Sequence, residues 1–490
     1  MTFCGDRKEA WGRVRLFIII LTLVISPLVN AQDADEHTLS RFAPKLESSR
    51  PQMGVERILS QATPSGSDQT GPATRVDNAI TMSVSNDLAV SIPGTLKYVP
   101  DEHISFLPAM SPGVYNVIVA GANQVGRQLF GDTLVLQTRD FLNFTLAPGF
   151  GNPEHGQAIF WAPRTIGGPC NYGGVTHFDE QYAAPGGVVH DPTRGPGNLI
   201  MIYEAEIHCP HAPKGAGAGW VSVGVARSAD GGRTWPMPVA RPGVENDWLE
   251  YGNGRYAGVT LPGTPPTAGL DKFYGDSLPS AFVDDMDPSG DYYLYVPYQF
   301  TGSPTIKPDA FIHMARAKLG DKSGHRVEGP LQFYKWHVDS NGKGGWTQEG
   351  RGGLESAVMT SPCVSGAMGE GNAQIVYNDA LRLYMMTFTC TKLNCVAGQE
   401  CTAVNLSWHY STATRLGAQD WSPPQLMQDS TRPITMTGHG MGLRDGGYAS
   451  FMTPGHEPGH IGMTGYALFL QGDPLGPRTM AARTFTVTAR

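Results

Sequence analysis

The sequence has little charge and little helical patterning. Charged residues make up only 16% of the 490 positions, and beyond residue 32 no long stretch repeats apolar side chains at the helical period. Glycine and proline, in contrast, number 61 and 38, and both residue types interrupt regular structure and form turns. These features together predict an all-β protein built from many short strands joined by turns.

Two catalytic motifs are also absent. The sequence contains no Gly-x-Ser-x-Gly nucleophile elbow and no glycine-rich Walker loop. Each of these motifs supplies a backbone geometry on which its reaction depends. Their absence therefore argues against a serine hydrolase of the elbow type and against a nucleotide-binding enzyme.

The first 31 residues have the pattern of a secretory signal peptide. Four basic residues precede an apolar run from Leu16 to Val29, and Val29-Asn30-Ala31 offers a cleavage site before Gln32. The run is shorter than the ~20 apolar residues of a spanning helix, although a retained signal anchor is the alternative. We expect a secreted protein, extracellular or periplasmic, with no membrane contact after cleavage.

The net charge narrows the choice of partners. The whole chain has a formal charge of -8, and removal of the signal peptide, with its four basic and two acidic residues, leaves -10. An acidic exported protein is poorly suited to bind nucleic acid or anionic lipid. We expect a monomer whose partner is a polysaccharide or another glycan.

Cysteine is scarce, and its distribution predicts disulfides. Six of the seven cysteines follow the signal peptide, and an even number in an exported chain favours disulfide bonds. We expect Cys170 to pair with Cys209 and two bridges to form among the other four. A zinc site at Cys390, Cys395 and Cys401 is the alternative, although their spacing is not that of paired-cysteine zinc sites.

The chain divides into an arm and a larger domain. Residues 32–78 are polar, rich in serine, proline and glutamine, and nearly free of aromatic residues, as expected of a linker or N-terminal arm. From residue 79 to residue 490 the pattern is that of β-strands, with clear examples at Val114–Ala120 and Gly447–Met452. We therefore predict one β-domain over residues 79–490.

One turn motif stands out. The stretch from Ser228 to Trp235 reads Ser-Ala-Asp-Gly-Gly-Arg-Thr-Trp. In such a turn Asp230 accepts bonds from backbone N–H groups, Gly231 and Gly232 supply positive φ, and the tryptophan packs into the core. The motif resembles the Asp-box of sialidases and related β-propellers at Ser228, Asp230, Gly232, Thr234 and Trp235. The resemblance implies an architecture and a structural turn, and no catalytic role.

The strands follow one another in an irregular repeat. Five polar heads each precede about three or four strands, at residues 101–103, 179–181, 274–276, 369–371 and 438–440. Five such units fit a five-bladed β-propeller, in which the heads would converge at one mouth of the central channel. A strand near residues 79–91 would complete the last blade. A β-sandwich with insertions is the alternative, because periodicity does not fix closure.

Five-bladed propellers with acidic channel mouths look like arabinanase- and xylosidase-type glycoside hydrolases. Glycosidic cleavage needs two carboxyl groups, one protonated and one ionised. The resemblance implies Glu370 as the acid, Asp179 as the base and Asp276 as a tuning or binding residue, although Asp276 stands where a glutamate acid is expected. Sialidase activity is disfavoured. The sequence contains arginines, but it lacks the Arg-Ile-Pro motif with which sialidase domains open.

Other residues at the heads are candidates for substrate binding: Asp101, Glu102, Glu180, Tyr182, Tyr274 and His439. Glu204 and Glu206, on one face of a strand, are second-line catalytic candidates. We expect no cofactor, although head oxygens and His439 would suit calcium. The competing function is a non-catalytic propeller that binds carbohydrate or protein at the same mouth, with tyrosine and tryptophan stacking on sugar rings.

Overall fold

The structure is a computed structural model in which the chain is β-structured from residue 80 onward. It describes residues 80–94, 96–97, 99–120, 122–123, 132–153, 157–162, 177–207, 219–236, 250–251, 254–261, 273–302, 311–363, 368–394, 402–429, 447–472 and 478–489. The described part contains 27 strands and one short 3₁₀ helix, Leu416–Ala418. The all-β prediction is therefore confirmed. No helix in that part is long and apolar enough to cross a membrane.

The first group of strands is antiparallel and ordered as in the chain. After β1 (Ile80–Val84) and β2 (Leu96–Lys97) come β3 (Ser105–Ser111), β4 (Val114–Ala120), β5 (Ala122–Asn123), β6 (Thr133–Thr138) and β7 (Phe144–Leu146). Strands β3, β4, β6 and β7 form the sheet, and β5 pairs with β2. We call β3–β7 the first group.

The second and third groups share hydrogen bonds. The second comprises β8 (Tyr182–His190), β9 (Leu199–Ile207), β10 (Gly219–Ser228), β11 (Glu250–Tyr251) and β12 (Arg255–Val259). The third comprises β13 (Phe273–Ser277), β14 (Phe282–Asp284), β15 (Asp291–Phe300), β16 (Ile312–Asp321), β17 (Phe333–Val338) and β18 (Gly344–Glu349). Strand β13 runs parallel to β10 and antiparallel to β15, and so joins the two groups into one sheet.

The last two groups end the chain. The fourth comprises β19 (Met368–Asn378), β20 (Leu383–Asn394), β21 (Thr402–Ala413) and β22 (Gln425–Leu426), followed by β23 (Gln428–Asp429). The fifth comprises β24 (Gly447–Met452), β26 (Thr464–Gly472) and β27 (Arg478–Ala489), while the intervening β25 (His460–Ile461) pairs with β19. Strand β1 completes the fifth sheet between β27 and β23, with Ile80 opposite Ala489 and Val84 opposite Phe485.

The apolar core lies between consecutive groups. Five buried clusters each join two groups: first with second, second with third, third with fourth, fourth with fifth, and fifth with first. In the last of these, Val117 and Leu136 of the first group pack with Leu468 and Met480 of the fifth. Every group thus packs apolar side chains against both of its neighbouring groups.

The turn after β10 is held by its own side chains. Asp230 accepts bonds from the Thr234 N–H at 3.0 Å and the Thr234 hydroxyl at 2.6 Å, and the Ser228 hydroxyl donates to it at 2.8 Å. Gly231 and Gly232 have φ of 75° and 84°. The Trp235 indole N–H donates to the Gly232 carbonyl, and its ring is buried. A turn of the same kind follows β6, where Asp140 accepts from the N–H groups of Leu142 and Asn143.

One disulfide bond is described, between Cys363 and Cys390. Both belong to the set of four in which two bridges were predicted. Cys390 is therefore not a free thiolate, which removes it from the alternative zinc site. The other predicted pair, Cys170 and Cys209, lies outside the described residues.

Candidate functional site

Polar contacts join neighbouring groups of strands. The Leu278 N–H of the third group donates to Glu204 Oε1 of the second at 3.3 Å. The Phe451 N–H of the fifth group donates to the Gln374 side chain of the fourth at 2.7 Å. Between the fifth and first groups, the Ile104 N–H donates to Ser450 Oγ at 2.8 Å. These contacts lie in the region where adjacent groups meet.

Four carboxylic acids gather in this region: Asp101, Glu102, Glu204 and Glu206, which we call the acid cluster. Asp101 and Glu102 come from the segment that leads into β3, and Glu204 and Glu206 lie on β9. The Glu102 and Glu204 carboxyl groups interact electrostatically, and the charges of Asp101 and Glu206 act on both. Glu102 has no exposed surface and Glu204 has 4%, whereas Glu206 is partly exposed.

Strand geometry places these side chains together. Glu204 and Glu206 are two residues apart on β9, so both point to the same face. Tyr182 of β8 lies directly opposite Glu206, and its hydroxyl donates to the Asp101 carbonyl at 2.9 Å. This bond fastens the Asp101–Glu102 segment to the second group, beside the two glutamates.

Burial changes the ionisation of the two contacting glutamates. Desolvation, reinforced by the Glu204 charge, raises the pKa of Glu102 well above its usual range. Desolvation also raises the pKa of Glu204 to about 7, against the lowering effect of its bond to Glu102. Glu102 receives no donor on either oxygen from the described residues. Two interacting carboxyl groups of this kind titrate as a pair, and we call Glu102 and Glu204 the dyad.

Asp179, the predicted base, lies in a buried ion pair with Arg255. Neither side chain is exposed. The Tyr203 hydroxyl donates to Asp179 Oδ2 at 3.1 Å, and the Arg255 guanidinium lies 4.1 Å from the centre of the Phe160 ring. Tyr203 points to the face of β9 opposite to Glu204, since the two are adjacent in a strand. Asp179 therefore lies in the core between the first and second groups.

Asp276, the predicted tuning residue, belongs to a second buried network. Lys335 Nζ lies 3.1 Å from Asp276 Oδ2 and 3.2 Å from Glu355 Oε2, and Tyr298 donates to Glu355. Burial, with the charge of Glu355, raises the pKa of Asp276 to about 7, although Lys335 lowers it. Two residues later, Leu278 has a φ of 50° and donates to Glu204. Asp276 thus anchors the turn that contacts the dyad.

The remaining predicted residues are placed as follows. Glu370 lies inside β19, opposite Cys390, and not before its strand as the repeat suggested; its side chain is outside the described part. Tyr274 lies in β13 and is buried. Glu180 is also buried. His439 is outside the described residues.

A histidine motif escaped the sequence analysis. Residues 456–460 read His-Glu-Pro-Gly-His, which has the spacing of the zinc-peptidase motif, but that chemistry needs a helix to bring both histidines to one face. Here the segment is a loop that enters β25. His456 and His460 each place Nδ1 against Asp379, at 2.6 and 2.7 Å. Within the described residues no group of three or more candidate ligands is arranged to hold a metal.

Comparisons with known proteins give structural similarity only. No family model matches the sequence, and no curated protein is significantly similar to it. The structure is similar to an endo-1,5-alpha-L-arabinanase from Thermotoga petrophila RKU-1, with 14% identity over 80% of this chain and 72% of that one, and a TM-score of 0.36. It is similar to a family 117 glycoside hydrolase from Zobellia galactanivorans, with 10% identity, coverage of 84% and 91%, and a TM-score of 0.37.

A third similar structure carries a different activity. It is an N-acetylgalactosamine deacetylase from F. plautii in complex with blood group B trisaccharide, with 12% identity, coverage of 84% and 95%, and a TM-score of 0.37. At these identities no residue role is carried over from any of the three.

Proposed function

We propose that this chain is an exported glycan-active protein, a glycoside hydrolase whose carboxyl groups at the centre of the fold cleave the glycosidic bond. The observation that carries the proposal is the Glu102–Glu204 dyad, a buried carboxyl pair flanked by two further acids. A carboxyl whose pKa is raised to about 7 can hold a proton at neutral pH and deliver it to a leaving oxygen.

The proposed architecture is a five-bladed propeller over residues 79–490. Three features support closure: the five core clusters that link each group to the next, the contacts among inner strands, and the pairing of β1 with β27. A ring closed by the pairing of the first and last strands holds both ends of the β-domain in one sheet. It also explains why residues from distant parts of the sequence, such as Glu102 and Glu204, meet.

The chemistry needs two separate carboxyl functions. Glu102 and Glu204 are too close to flank a sugar, because retaining enzymes separate their carboxyls by ~5 Å and inverting enzymes by ~6.5–9.5 Å. We assign them jointly as the acid, which protonates the leaving oxygen as the bond to the anomeric carbon breaks. Glu206, two strand residues or ~6.6 Å along β9, would take a proton from the water whose oxygen joins that carbon.

The residues first expected to carry catalysis receive other proposed roles. Asp179 orients β9 through Tyr203 and Arg255, from the face opposite to the acid cluster. Asp276 and Lys335 hold the Leu278 turn against Glu204, and so act as positioning residues. Glu370 remains a proposed acid, to be compared directly with Glu204.

A non-catalytic glycan-binding propeller is the second candidate. The full burial of Glu102 favours it, because a catalytic group has to touch the sugar. In that case the dyad would be a structural element that ties the first group to the second.

Measuring the turnover of glycan substrates distinguishes the hydrolase from the non-catalytic binding protein. Wild type, Glu204→Gln, Glu206→Gln and Glu370→Gln would be assayed on aryl glycosides and on plant and bacterial polysaccharides. Glu349→Gln is the control, since this exposed glutamate lies on the outer strand β18. We expect loss of ~10²–10⁴-fold in kcat for Glu204→Gln or Glu206→Gln and none for the control. Glycan binding without turnover in any variant would identify the binding protein.

A further inference from the structure

The fourth and fifth groups carry the same irregularity at equivalent positions. In β19, the three steps from Gly371 to Gln374 face only two steps of β20. In β24, the three steps from Gly447 to Ser450 face only two steps of β26. The two segments also correspond in sequence, since they read Gly-Asn-Ala-Gln and Gly-Tyr-Ala-Ser. Each is a β-bulge with one extra residue, a feature that is frequent next to active sites, where it redirects a side chain.

The residue after the glycine has a left-handed backbone in both bulges. Asn372 has a φ of 53° and Tyr448 has a φ of 56°. Asparagine tolerates this conformation, whereas it is unusual for a bulky aromatic residue. Strained residues of this kind persist only where the surrounding structure holds them, and they cluster at active sites and ligand clamps. The conformation of Tyr448 therefore needs an explanation that the conformation of Asn372 does not.

Packing in the core does not supply that explanation. The next residue, Ala449, is buried in the core between the fourth and fifth groups. Tyr448 itself is partly exposed, and it belongs to none of the apolar core clusters formed by the described residues. The bulge thus keeps the tyrosine ring out of the core and leaves part of it accessible.

Hydrogen bonds between the fifth and first groups place this ring beside the Asp101–Glu102 segment. Ser450 Oγ accepts a bond from the Ile104 N–H at 2.8 Å and donates to the Tyr448 carbonyl at 3.1 Å. One hydroxyl therefore ties the bulge to the residues that lead into β3. The His103 ring lies edge-on to the Tyr448 ring, with 6.4 Å between the ring centres.

We propose that Tyr448 is a sugar-binding residue of the central site, and that its ring stacks on the C–H face of a sugar held beside the acid cluster. The inference rests on the proposed glycan activity. A tyrosine ring offers a large apolar contact area at little cost in side-chain entropy. The left-handed backbone fixes the direction of the ring before the sugar arrives, and such preorganisation lowers the cost of binding.

Titration calorimetry with neutral hexasaccharides of xylose, galactose and arabinose tests the proposal without requiring turnover. We expect Tyr448→Ala and Tyr448→Gly to weaken binding of the hexasaccharide preferred by the wild type by at least about fivefold, as truncation of an aromatic anchor does. Tyr448→Phe keeps the ring and should retain affinity within about twofold. Tyr334→Ala is the control, because Tyr334 is 41% exposed on β17, and its loss should leave affinity unchanged.

Thermal unfolding separates a binding role from a structural one. Glycine adopts a left-handed backbone without strain and alanine does not, so Tyr448→Gly should unfold about 1–2 °C above Tyr448→Ala. We expect both variants to stay folded while they lose affinity for the sugar. A Tyr448→Gly protein less stable than Tyr448→Ala would contradict the strained backbone on which the proposal depends.

Three binding results would also overturn the proposal: unchanged affinity in Tyr448→Ala, a loss in Tyr448→Phe as large as in Tyr448→Ala, or no binding of any hexasaccharide to the wild type. Turnover of the same variants distinguishes this failure from that of the hydrolase. Binding that depends on Tyr448 without hydrolysis would sustain the proposal and refute the hydrolase. Hydrolysis unaffected by Tyr448→Ala would refute the proposal and leave the hydrolase in place.

Discussion

Arg255 and Asp179 form an ion pair in which neither side chain reaches solvent. The arginine also donates to the Trp161 carbonyl at 3.0 Å and stacks on Phe160, so one side chain connects the segment before β8 to the segment after β7. Two opposite charges in an apolar core are stable only together, since either one alone would be left uncompensated.

Arg255→Met should therefore be strongly destabilising. We expect a loss of about 3–5 kcal/mol in the free energy of unfolding, measured by urea denaturation, because Asp179 would be left buried without its cation. The matched control is the double variant Arg255→Met with Asp179→Asn, which removes both charges and should recover much of the loss. If the double variant is as unstable as the single one, packing and not charge dominates this site.

The turn aspartates should affect stability and not activity. Asp230→Ala removes the acceptor of three hydrogen bonds within the turn, and we expect a loss of about 1–3 kcal/mol. Asp140→Ala, in the equivalent turn after β6, should behave similarly. Both are measured by denaturation alongside specific activity of the folded protein. An active-site role for Asp230 would be indicated by abolished activity in a folded variant.

The acid cluster should make stability depend on pH. The pKa of Glu204 is about 7 in the folded protein and ~4.3 in an unfolded chain, so the folded state binds the proton more tightly. Its stabilising contribution is complete below pH ~4.3 and is lost as the pH rises through about 7. Hydrolytic activity should decline in the same range, as the acid loses its proton.

Two variants test the origin of this dependence. Glu204→Gln should flatten the stability profile between pH ~4.3 and 7, where the group otherwise titrates. Asp276→Asn is the comparison, since the pKa of Asp276 is also raised to about 7 but it contacts Lys335 and not the dyad. We expect Asp276→Asn to flatten part of the stability profile while leaving the alkaline decline of activity in place. An unchanged activity profile in Glu204→Gln would reject its role as the acid.

Much of the fold could be predicted from local pattern. Val114–Ala120 and Gly447–Met452 were predicted with the bounds they have, because alternating apolar residues between turns define a strand without reference to the rest of the chain. The hairpin of β17 and β18 was missed. Its residues are largely polar or half-exposed, so they do not show the pattern of a buried strand. Lys335 is buried because it pairs with Asp276 and Glu355, and these partners are distant in the sequence.

The site was harder to predict for the same reason. An acid before a strand can face the centre or the space between sheets, and sequence does not distinguish the two. Asp179 faces the core because Arg255, 76 positions away, neutralises it there. Glu102 and Glu204 were ranked below it, yet they meet because strand β9 turns alternate residues to opposite faces. Their proximity, and the absence of a nearby cation in the described part, become visible only in the fold.

The disulfide should contribute stability independently of the acid cluster. Cys363 and Cys390 are 27 residues apart, and closing such a loop stabilises by about 3–4 kcal/mol in the chain-entropy account. The paired variant Cys363→Ser with Cys390→Ser should lose that amount in denaturation under non-reducing conditions. Peptide mass spectrometry without reduction would test the predicted bridge between Cys170 and Cys209 in the same preparation; free Cys170 would rule it out.

Strand β1 should be needed for the fold, whereas the preceding residues should not. Met82 and Val84 are buried in the cluster between the fourth and fifth groups, and Asp87 Oδ1 lies 2.6 Å from Arg483 Nε. A chain that starts at residue 79 keeps these contacts, and we expect its Tm to be within about 2 °C of that of a chain that starts at residue 32. A chain that starts at residue 91 loses them. Removing the two apolar side chains alone should cost about 3–6 kcal/mol.

Point variants separate the loss of β1 from the effect of truncation. Met82→Asp places a charge in the core and should release β1 from β27, since a buried unpaired carboxylate is strongly unfavourable. Ser83→Asp, on the other face of the same strand, should be nearly neutral. Both are read by thermal unfolding and by hydrogen exchange at the β27 amides that pair with β1, from Phe485 to Ala489. If the chain starting at residue 91 were as stable as the one starting at residue 79, β1 would not close the proposed propeller.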